Sequence, residues 1–256
     1  MNLRYAISDA MVLARRNLLR IPRAPDLALS FTVQPIMFVL LFVYVFGGAI
    51  QTPGFEYVDF LMPGIIAQTM SFGGFVTALG LAEDLKKGLI DRFRSLPMSR
   101  SAVLVGRTSA DIVTNIVSLI VMFAVGLLVG FDFNASVFEI AAGVVLLLVF
   151  GYAFSWIFAW IGLGASSPES AQAVGFIAIF PLTFASSAFV PVETMPDWLQ
   201  VFAENNPFTT VVDGARALLI GAPAGNDVWG AFAWSIGIAA VFAYLSVRRY
   251  RKAISS

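Results

Sequence analysis

Six stretches of 20 or more residues without a charged side chain dominate this sequence of 256 residues. About 20 apolar residues span the hydrocarbon core of a bilayer as a helix, so each stretch is long enough to cross it. A Lys, Arg or Asp at the centre of such a helix costs roughly 2.5–3.5 kcal/mol, whereas each Leu, Ile, Val or Phe contributes about −0.3 to −0.6 kcal/mol. Charges lie only between the stretches, which indicates a polytopic membrane protein. The stretches are residues 27–55, 60–82, 112–131, 140–168, 170–192 and 228–247.

The composition excludes an ordinary soluble domain. Hydrophobic residues make up 59% of the chain and charged residues 12%, against roughly 45–50% and 25% in soluble domains. Because six spans leave only short connections, we predict one all-α integral-membrane domain over residues 1–256 and no soluble catalytic domain. The predicted spans cover about residues 28–50, 60–82, 106–131, 138–164, 170–190 and 228–247.

The basic residues predict the orientation. Of the 16 Lys and Arg residues, fifteen lie before the first span, between spans two and three, or after span six. An even number of spans places these regions on one side, which the positive-inside rule identifies as cytoplasmic. We therefore expect a multi-pass protein of the plasma (inner) membrane with both termini in the cytoplasm. The exception is Arg216, between spans five and six.

Two cytoplasmic segments have the apolar periodicity of amphipathic helices. Residues 5–25 are predicted to form a helix that lies in the membrane interface before the first span. In residues 83–97, apolar side chains recur at helical spacing among charges of both signs, and Pro97 ends the pattern. Such a helix suits docking to a soluble partner, although a loop that only sets the topology would share its basic residues. The apolar stripe consists of Leu85, Leu89, Phe93 and Leu96.

The external segment before span six is predicted to contain two helices. A short helix begins near Asp197, and a longer one begins at Asn206 and Pro207, because Asn caps helices and Pro fits the first helical position. Both are amphipathic and suited to re-entering the outer leaflet. Asp213 and Arg216 are one helical turn apart and can pair, either as a structural ion pair or as a gate contact.

Several kinds of chemistry are missing from the sequence. Cys and His are absent, which removes disulfides, His or Cys metal sites and His-assisted nucleophiles. No lysine follows a glycine, so no phosphate-binding P-loop is present. Asp111 and Glu139 are predicted at span ends and no carboxylate at a span centre, which disfavours a proton- or sodium-coupled carrier. We therefore predict that the chain is not itself an enzyme and holds no cofactor.

Three motifs carry a family resemblance. The cytoplasmic run contains G-L-I-D-R-F-R-S-L-P-M-S-R at 88–100 followed by V-G-R, and S-S-A-F-V-P-V-E-T-M-P-D-W-L-Q stands at 186–200. The third motif is N-P-F-T-T-V-V-D-G-A-R-A-L-L at 206–219. Their order and the six-span layout resemble the membrane subunits of type-2 ABC exporters, and most closely the daunorubicin/doxorubicin-resistance type of drug-export permease.

The resemblance implies how such a chain works. Two permeases, as a homodimer or as a heterodimer with a paralogue, would form the path and couple to separate subunits that bind ATP and Mg²⁺. The implied cargo is a hydrophobic drug, a lipid or a glycoconjugate. The implied coupling residues are Glu83, Leu89, Arg92, Phe93, Leu96 and Pro97. The implied external re-entrant region, within residues 189–221, includes Glu193, Asn206, Pro207, Asp213 and Arg216.

Two other functions stay open at this point. An ion-coupled carrier or channel would act without an ATP-binding partner, and a membrane scaffold would transport nothing. Co-purification with a P-loop ATPase would distinguish the exporter from both. The expected partners are therefore the ATP-binding subunit, a second permease and the lipid bilayer, with no nucleic acid.

Overall fold

The computed structural model describes residues 25–50, 52, 54–87, 102–223 and 227–255, and these residues form helices and connections without a strand. A π-helical turn, Phe42–Phe46, continues the first helix, and a 3-10 turn, Val192–Thr194, precedes the seventh. Nearly all of the predicted interfacial helix over residues 5–25 lies outside the described residues. The α-helices are α1 Pro25–Leu41, α2 Tyr57–Phe72, α3 Phe75–Lys86, α4 Ala102–Leu128, α5 Val137–Gly162, α6 Pro168–Phe184, α7 Asp197–Glu204, α8 Pro207–Ile220 and α9 Asp227–Ser255.

Four helical segments of the described chain have the length and apolar character needed to cross a bilayer. They are Tyr57–Lys86, which joins α2 to α3, and Val103–Leu128, Val137–Gly162 and Asp227–Lys252. The prediction of an all-α membrane protein is therefore confirmed. The first and fifth predicted spans correspond to shorter helices. The apolar part of the first is Val33–Phe46, and α6 has 17 residues, which rise about 26 Å against a hydrocarbon core of about 30 Å.

Helix α5 is the centre of the molecule. It contacts α2, α3, α4, α6, α8 and α9, as expected for a helix that is apolar around its whole circumference. Close approach depends on glycine: a Cβ at Gly162 would lie 2.5 Å from the backbone oxygen of Ala78 in α3. Small residues of this kind allow helices in a membrane to pack backbone against backbone.

The ends of several helices follow the local sequence. At the start of α5, Ser136 and Glu139 form a reciprocal capping box, in which Ser136 N–H donates to the Glu139 carboxylate at 2.8 Å. Helix α8 begins at Pro207 after the Asn206 cap, as predicted, and Gly221 follows its last residue. Gly221 has a φ of 70°, a left-handed conformation that favours glycine and closes the helix.

Candidate functional site

Only the first residue of the predicted coupling set lies among the described residues. Glu83 is in the last turn of α3, where its carboxylate lies 3.5 Å from the Lys87 ammonium on the protein surface. Leu89, Arg92, Phe93, Leu96 and Pro97 fall in residues 88–101, outside the described part of the chain. Their proposed contacts with a partner therefore remain predictions from sequence.

The start of the coupling segment differs from the prediction. Glu83 and Asp84 were expected to open a new helix, but α3 continues through them to Lys86. Acidic residues near a helix N-terminus contribute only about 0.3–1 kcal/mol. That preference is outweighed here because the uninterrupted helix buries Leu81 and Ala82. Residues 83–86, the start of the predicted coupling segment, thus belong to a candidate membrane span.

A buried ion pair closes the base of this segment. Arg107, early in α4, donates from Nη2 to the Asp84 carboxylate of α3 at 2.5 Å. Its Nη1 also donates to the backbone oxygen of Thr77 at 3.4 Å. Arg107 and Asp84 are 6% and 8% exposed. The two helices that flank residues 88–101 are therefore joined by charge as well as by apolar packing.

Two further polar residues of α4 continue inward from Arg107. The carboxylate of Asp111 accepts a hydrogen bond from the Thr77 hydroxyl at 2.7 Å and is 5% exposed. The sequence placed Asp111 at a span end; instead it lies in the third turn of α4, enclosed by neighbouring helices. One turn further in, Asn115 is 1% exposed. Its Nδ2 and Oδ1 atoms have no hydrogen-bond partner among the described residues.

On the other side of the molecule, α8 is fastened to the end of α6. The Asn206 side chain accepts from the Phe208 N–H at 2.9 Å, which caps α8. The same side chain donates to the backbone oxygens of Leu182 and Ala185 at 2.7 and 2.8 Å. One amide thus caps one helix and also satisfies carbonyl groups at the end of another.

The predicted pair of Asp213 and Arg216 is present. Arg216 donates from Nη1 to the Asp213 carboxylate at 2.7 Å. It also donates from Nε to the backbone oxygen of Phe60 at 2.9 Å, and from Nη2 to that of Ser187 at 2.6 Å. The guanidinium lies 3.5 Å from the centre of the Phe60 ring. Arg216 therefore ties α8 to α2 and to the chain that follows α6.

Arg216 remains positively charged although it is buried. Burial lowers the pKa of Arg216 to about 10, and the neighbouring Asp213 carboxylate opposes this shift. The guanidinium consequently stays protonated at neutral pH. Such a buried charge requires paired acceptors, and the carboxylate and two backbone oxygens supply them.

Hydroxyl groups complete this cluster. The Ser187 hydroxyl donates to the Asp213 carboxylate at 2.8 Å, and the Ser187 N–H donates to the Thr209 hydroxyl at 3.2 Å. The Tyr57 hydroxyl, from the start of α2, donates to the backbone oxygen of Phe189 at 3.2 Å. Glu193 lies in the 3-10 turn with an exposed side chain, and its backbone oxygen accepts from the Gln200 amide at 3.2 Å.

Sequence reasoning identified the two ends of the Asp213–Arg216 pair and missed most of its surroundings. The Phe60 and Ser187 oxygens are backbone groups, which no side-chain pattern reveals. The motif at 186–200 did contain Ser187, but without indicating its bond. Asp84 was assigned to a helix start, and Arg107 was counted only among the residues that set the topology.

Neither cluster has the donors of a catalytic centre. Among the residues that the structure describes, no group of three or more His, Cys, Asp and Glu could hold a metal ion. The polar atoms of the Arg216 cluster are committed to one another and to the backbone. Both clusters instead join helices, one where α3 and α4 flank residues 88–101 and the other where α8 meets α2 and the chain after α6.

Comparison with known proteins places this arrangement in context. The model of the ABC-2 type transporter family matches residues 9–220. The chain is 35% identical over 246 residues to the daunorubicin resistance ABC transporter permease protein DrrB1 of Streptomyces coeruleorubidus, covering 96% of this chain and 87% of the relative. It is 23% identical over 251 residues to a protein of Mycobacterium tuberculosis named as a probable doxorubicin resistance ABC transporter permease, DrrC, covering 98% and 91%.

Proposed function

The chain belongs to the ABC-2 type transporter family, and from this premise we propose that it lines the cargo path of an ATP-driven exporter as one half of a permease dimer. As a family member, the chain is the membrane subunit of an ABC exporter. One observation carries the proposal. The matched region, residues 9–220, includes both the cytoplasmic connection and the external helices, yet the sequence has no phosphate-binding loop. The energy must then come from a separate ATP-binding subunit.

The proposed topology has six crossings with both termini in the cytoplasm. Four helices already have the required length. The first crossing would use α1 with its π-turn, and the fifth would use α6 with the residues that follow it. The uncharged stretches 27–55 and 170–192 support both additions. The basic residues support the orientation, because all but Arg216 then lie on the cytoplasmic side or at its boundary.

The proposed external region is a re-entrant unit made of α7 and α8. Its support is the burial of α8, whose side chains Phe208, Val211, Val212 and Leu219 are enclosed by protein. Non-helical backbone near a membrane is tolerated where protein covers it, and the connection after α6 is covered in this way, since Ser187 and Ala188 are buried and Arg216 donates to the Ser187 oxygen. Within this unit we assign Glu193, Asn206, Pro207, Asp213 and Arg216 to positioning the external helices.

The proposed cargo is a hydrophobic drug, a lipid or a glycoconjugate. Names of two relatives refer to daunorubicin and doxorubicin resistance, which makes an anthracycline a suitable first probe. The large cluster of buried apolar and aromatic side chains among the described residues would suit an amphiphilic aromatic compound.

Reconstitution with and without an ATP-binding subunit tests the proposal. We expect the purified chain alone to hydrolyse no ATP above background. Together with the subunit that co-purifies from the native membrane, it should accumulate daunorubicin in inverted vesicles only when ATP and Mg²⁺ are supplied. A walker-motif variant of the partner, with its P-loop lysine replaced, is the control and should abolish uptake.

Two results would contradict the proposal. ATP-stimulated uptake by this chain alone would mean that it does not depend on a partner. Uptake that follows a proton or sodium gradient, without ATPase, would favour the ion-coupled carrier, for which the buried carboxylate of Asp111 is the specific structural argument.

A further inference from the structure

Three polar residues of α4 face the same neighbouring helices. Arg107, Asp111 and Asn115 are spaced at i, i+4 and i+8, which puts them on one helical face. Opposite them, α3 and the end of α2 present Asp84, Thr77 and Gly73, also spaced for one face and in the reverse order. We call these six residues the polar ladder. It begins beside the cytoplasmic connection and reaches the middle of α4.

The ladder is made of direct contacts. Arg107 bonds Asp84 at 2.5 Å, and the Thr77 hydroxyl bonds Asp111 at 2.7 Å. Gly80 of α3 leaves room for the Arg107 side chain, because a Cβ at this position would overlap the Arg107 guanidinium. At the inner end, a Cβ at Gly73 would overlap the Asn115 amide oxygen. The absence of a side chain at Gly80 and Gly73 therefore makes room for Arg107 and Asn115.

The ladder resists separation of the two helices. Arg107, Asp84 and Asp111 are each less than a tenth exposed, so moving α3 away from α4 would leave charges unpaired in an apolar setting. Breaking a buried pair by removing one partner is strongly unfavourable. By contrast, moving α3 and α4 together as one body keeps the Arg107–Asp84 and Thr77–Asp111 bonds intact.

The ladder stops where α2 and α3 meet. Gly73 and Gly74 interrupt the helical segment at the level of Asn115, and the Gly73 N–H donates to the Met70 oxygen at 3.3 Å. Within the described chain both polar atoms of Asn115 lack a hydrogen-bond partner, so the hydrogen bonding seen between these helices ends at this level. Beyond it, α2 and α4 meet through apolar side chains such as Met62 and Met122.

We propose that Arg107 is a positioning residue for coupling, because with Asp84 and Asp111 it makes α3 and the first half of α4 a single rigid unit. A displacement of residues 83–97 by the ATP-binding subunit then moves both helices together and reaches the Gly73–Gly74 interruption. This inference rests on the proposed function. It names the residues that transmit a displacement of α3 to α4.

Paired spin labels test the rigid unit without reference to cargo. The chain has no native cysteine, so Lys86→Cys with Ser109→Cys reports the distance between α3 and α4. Lys86→Cys with Arg251→Cys reports the distance between the unit and α9. In the complex with its ATP-binding subunit, trapping with ATP and vanadate should shift the second distance and leave the first unchanged. Each labelled complex must first be shown to hydrolyse ATP.

The variant Arg107→Gln should separate hydrolysis from transport. We expect the complex to assemble and hydrolyse ATP, while daunorubicin moved per ATP falls about tenfold, within the usual range of coupling between sites. The first distance should then broaden on trapping. Arg107→Lys should recover part of the coupling. If Arg107→Gln acted only by disturbing the packing, Arg107→Lys would be impaired to the same extent. The matched control is Thr108→Val, because Thr108 is equally buried but bonds only its own helix.

The outcomes separate this inference from the proposed function. If the second distance shifts and the first shifts equally, α3 and α4 move independently and the rigid unit is wrong, although the exporter stands. If Arg107→Gln transports as many molecules per ATP as Thr108→Val, Arg107 has no role in coupling. If neither distance responds to nucleotide in a complex that hydrolyses ATP, α3 and α4 do not move as a unit and the inference is wrong, whereas the exporter is judged separately by ATP-dependent uptake.

Discussion

Single residues in this protein act mainly as connectors between distant parts of the chain. Arg216 is the best example, because one guanidinium bonds a carboxylate in its own helix and backbone oxygens of Phe60 and Ser187. Those oxygens are 156 and 29 positions away in sequence. Removing the side chain would take a hydrogen-bond donor from acceptors in three segments at once, which is costlier than losing an exposed ion pair.

We predict that Arg216→Ala lowers stability by about 3–5 kcal/mol, as for other buried pairs that lose one partner. Arg216→Lys should recover only part of this, since a single ammonium cannot reproduce the planar fork of donors. Thermal unfolding of the purified protein in detergent gives the measurement, and Arg251→Ala, at an exposed site, is the control.

The exchange of Asp213→Arg with Arg216→Asp should not restore stability. A carboxylate at position 216 cannot donate to the Phe60 and Ser187 oxygens, so the exchanged pair would satisfy each other but not the backbone. Recovery of the parent melting temperature by the exchange would show that charge pairing alone matters there.

Asn115 offers a second test at this scale, because glycine confines it on two sides. A Cβ at Gly151 would lie 2.5 Å from the Asn115 amide nitrogen. We predict that Gly151→Ala is destabilising by about 1–3 kcal/mol, as for other overpacked sites, and that Asn115→Ala in the same chain relieves the effect. A double-mutant cycle on melting temperature measures the coupling.

The control for this cycle is Gly162→Ala. Its Cβ would meet the backbone oxygen of Ala78 at 2.5 Å, so Asn115→Ala should give no relief there. Equal relief at both glycines would mean that the effect of Asn115→Ala is general rather than local to the Gly151 contact.

These residues show how far sequence could lead. Asn206, Pro207 and Gly221 mark their helix through local chemistry, and the pairing of Asp213 with Arg216 follows from their separation by one turn. The start of the helix and the pairing were both predicted. The bonds from Arg216 to Phe60 and Ser187, and from Arg107 to Asp84, join segments far apart in sequence. Such contacts depend on how helices pack, which periodicity does not encode.

At the scale of elements, residues 88–101 connect α3 to α4, and both of these helices belong to candidate membrane spans. The prediction from the apolar stripe placed a new helix at Glu83, whereas α3 continues through Glu83 to Lys86. The sequence shows which residues are charged, but not which of them pair with one another. A carboxylate at position 84 could cap a helix or pair with a distant arginine, and the structure shows the pair.

We predict that Phe93→Ala and Leu96→Ala weaken docking of the ATP-binding subunit, because apolar anchors carry most of the energy of an interface. Arg92→Glu should weaken it through charge mismatch and therefore depend on salt. Recovery of the partner in a pull-down, normalised to membrane abundance, measures the effect. Ser235→Ala, a buried hydroxyl that bonds only its own helix α9, is the control.

Membrane abundance should stay normal in all three variants, since none changes a predicted span. Full recovery of the partner by all three would exclude the 83–97 segment as the docking site. In that case the predicted interfacial helix over residues 5–25 would be the next segment to test.

For the whole molecule, the proposed orientation follows from a basic asymmetry that involves all but one of the 16 Lys and Arg residues. We predict that Asn226→Cys reacts with a membrane-impermeant maleimide in intact cells and that Ser99→Cys reacts only after permeabilisation. The parent chain lacks cysteine, so it provides a background-free control. Labelling of Ser99→Cys and protection of Asn226→Cys in intact cells would reverse the orientation.

Helix α6 is shorter than the hydrocarbon core, and this difference affects the lipids around it. Its Val174, Ile177 and Phe180 side chains are half or more exposed, so they face acyl chains if α6 spans as proposed. With 17 residues, the helix falls about 4 Å short of the hydrocarbon thickness. Neighbouring lipids must then compress or the helix must draw polar residues inward, at a modest cost for each ångström of mismatch. Acyl-chain length therefore becomes a variable that acts on this exporter from outside.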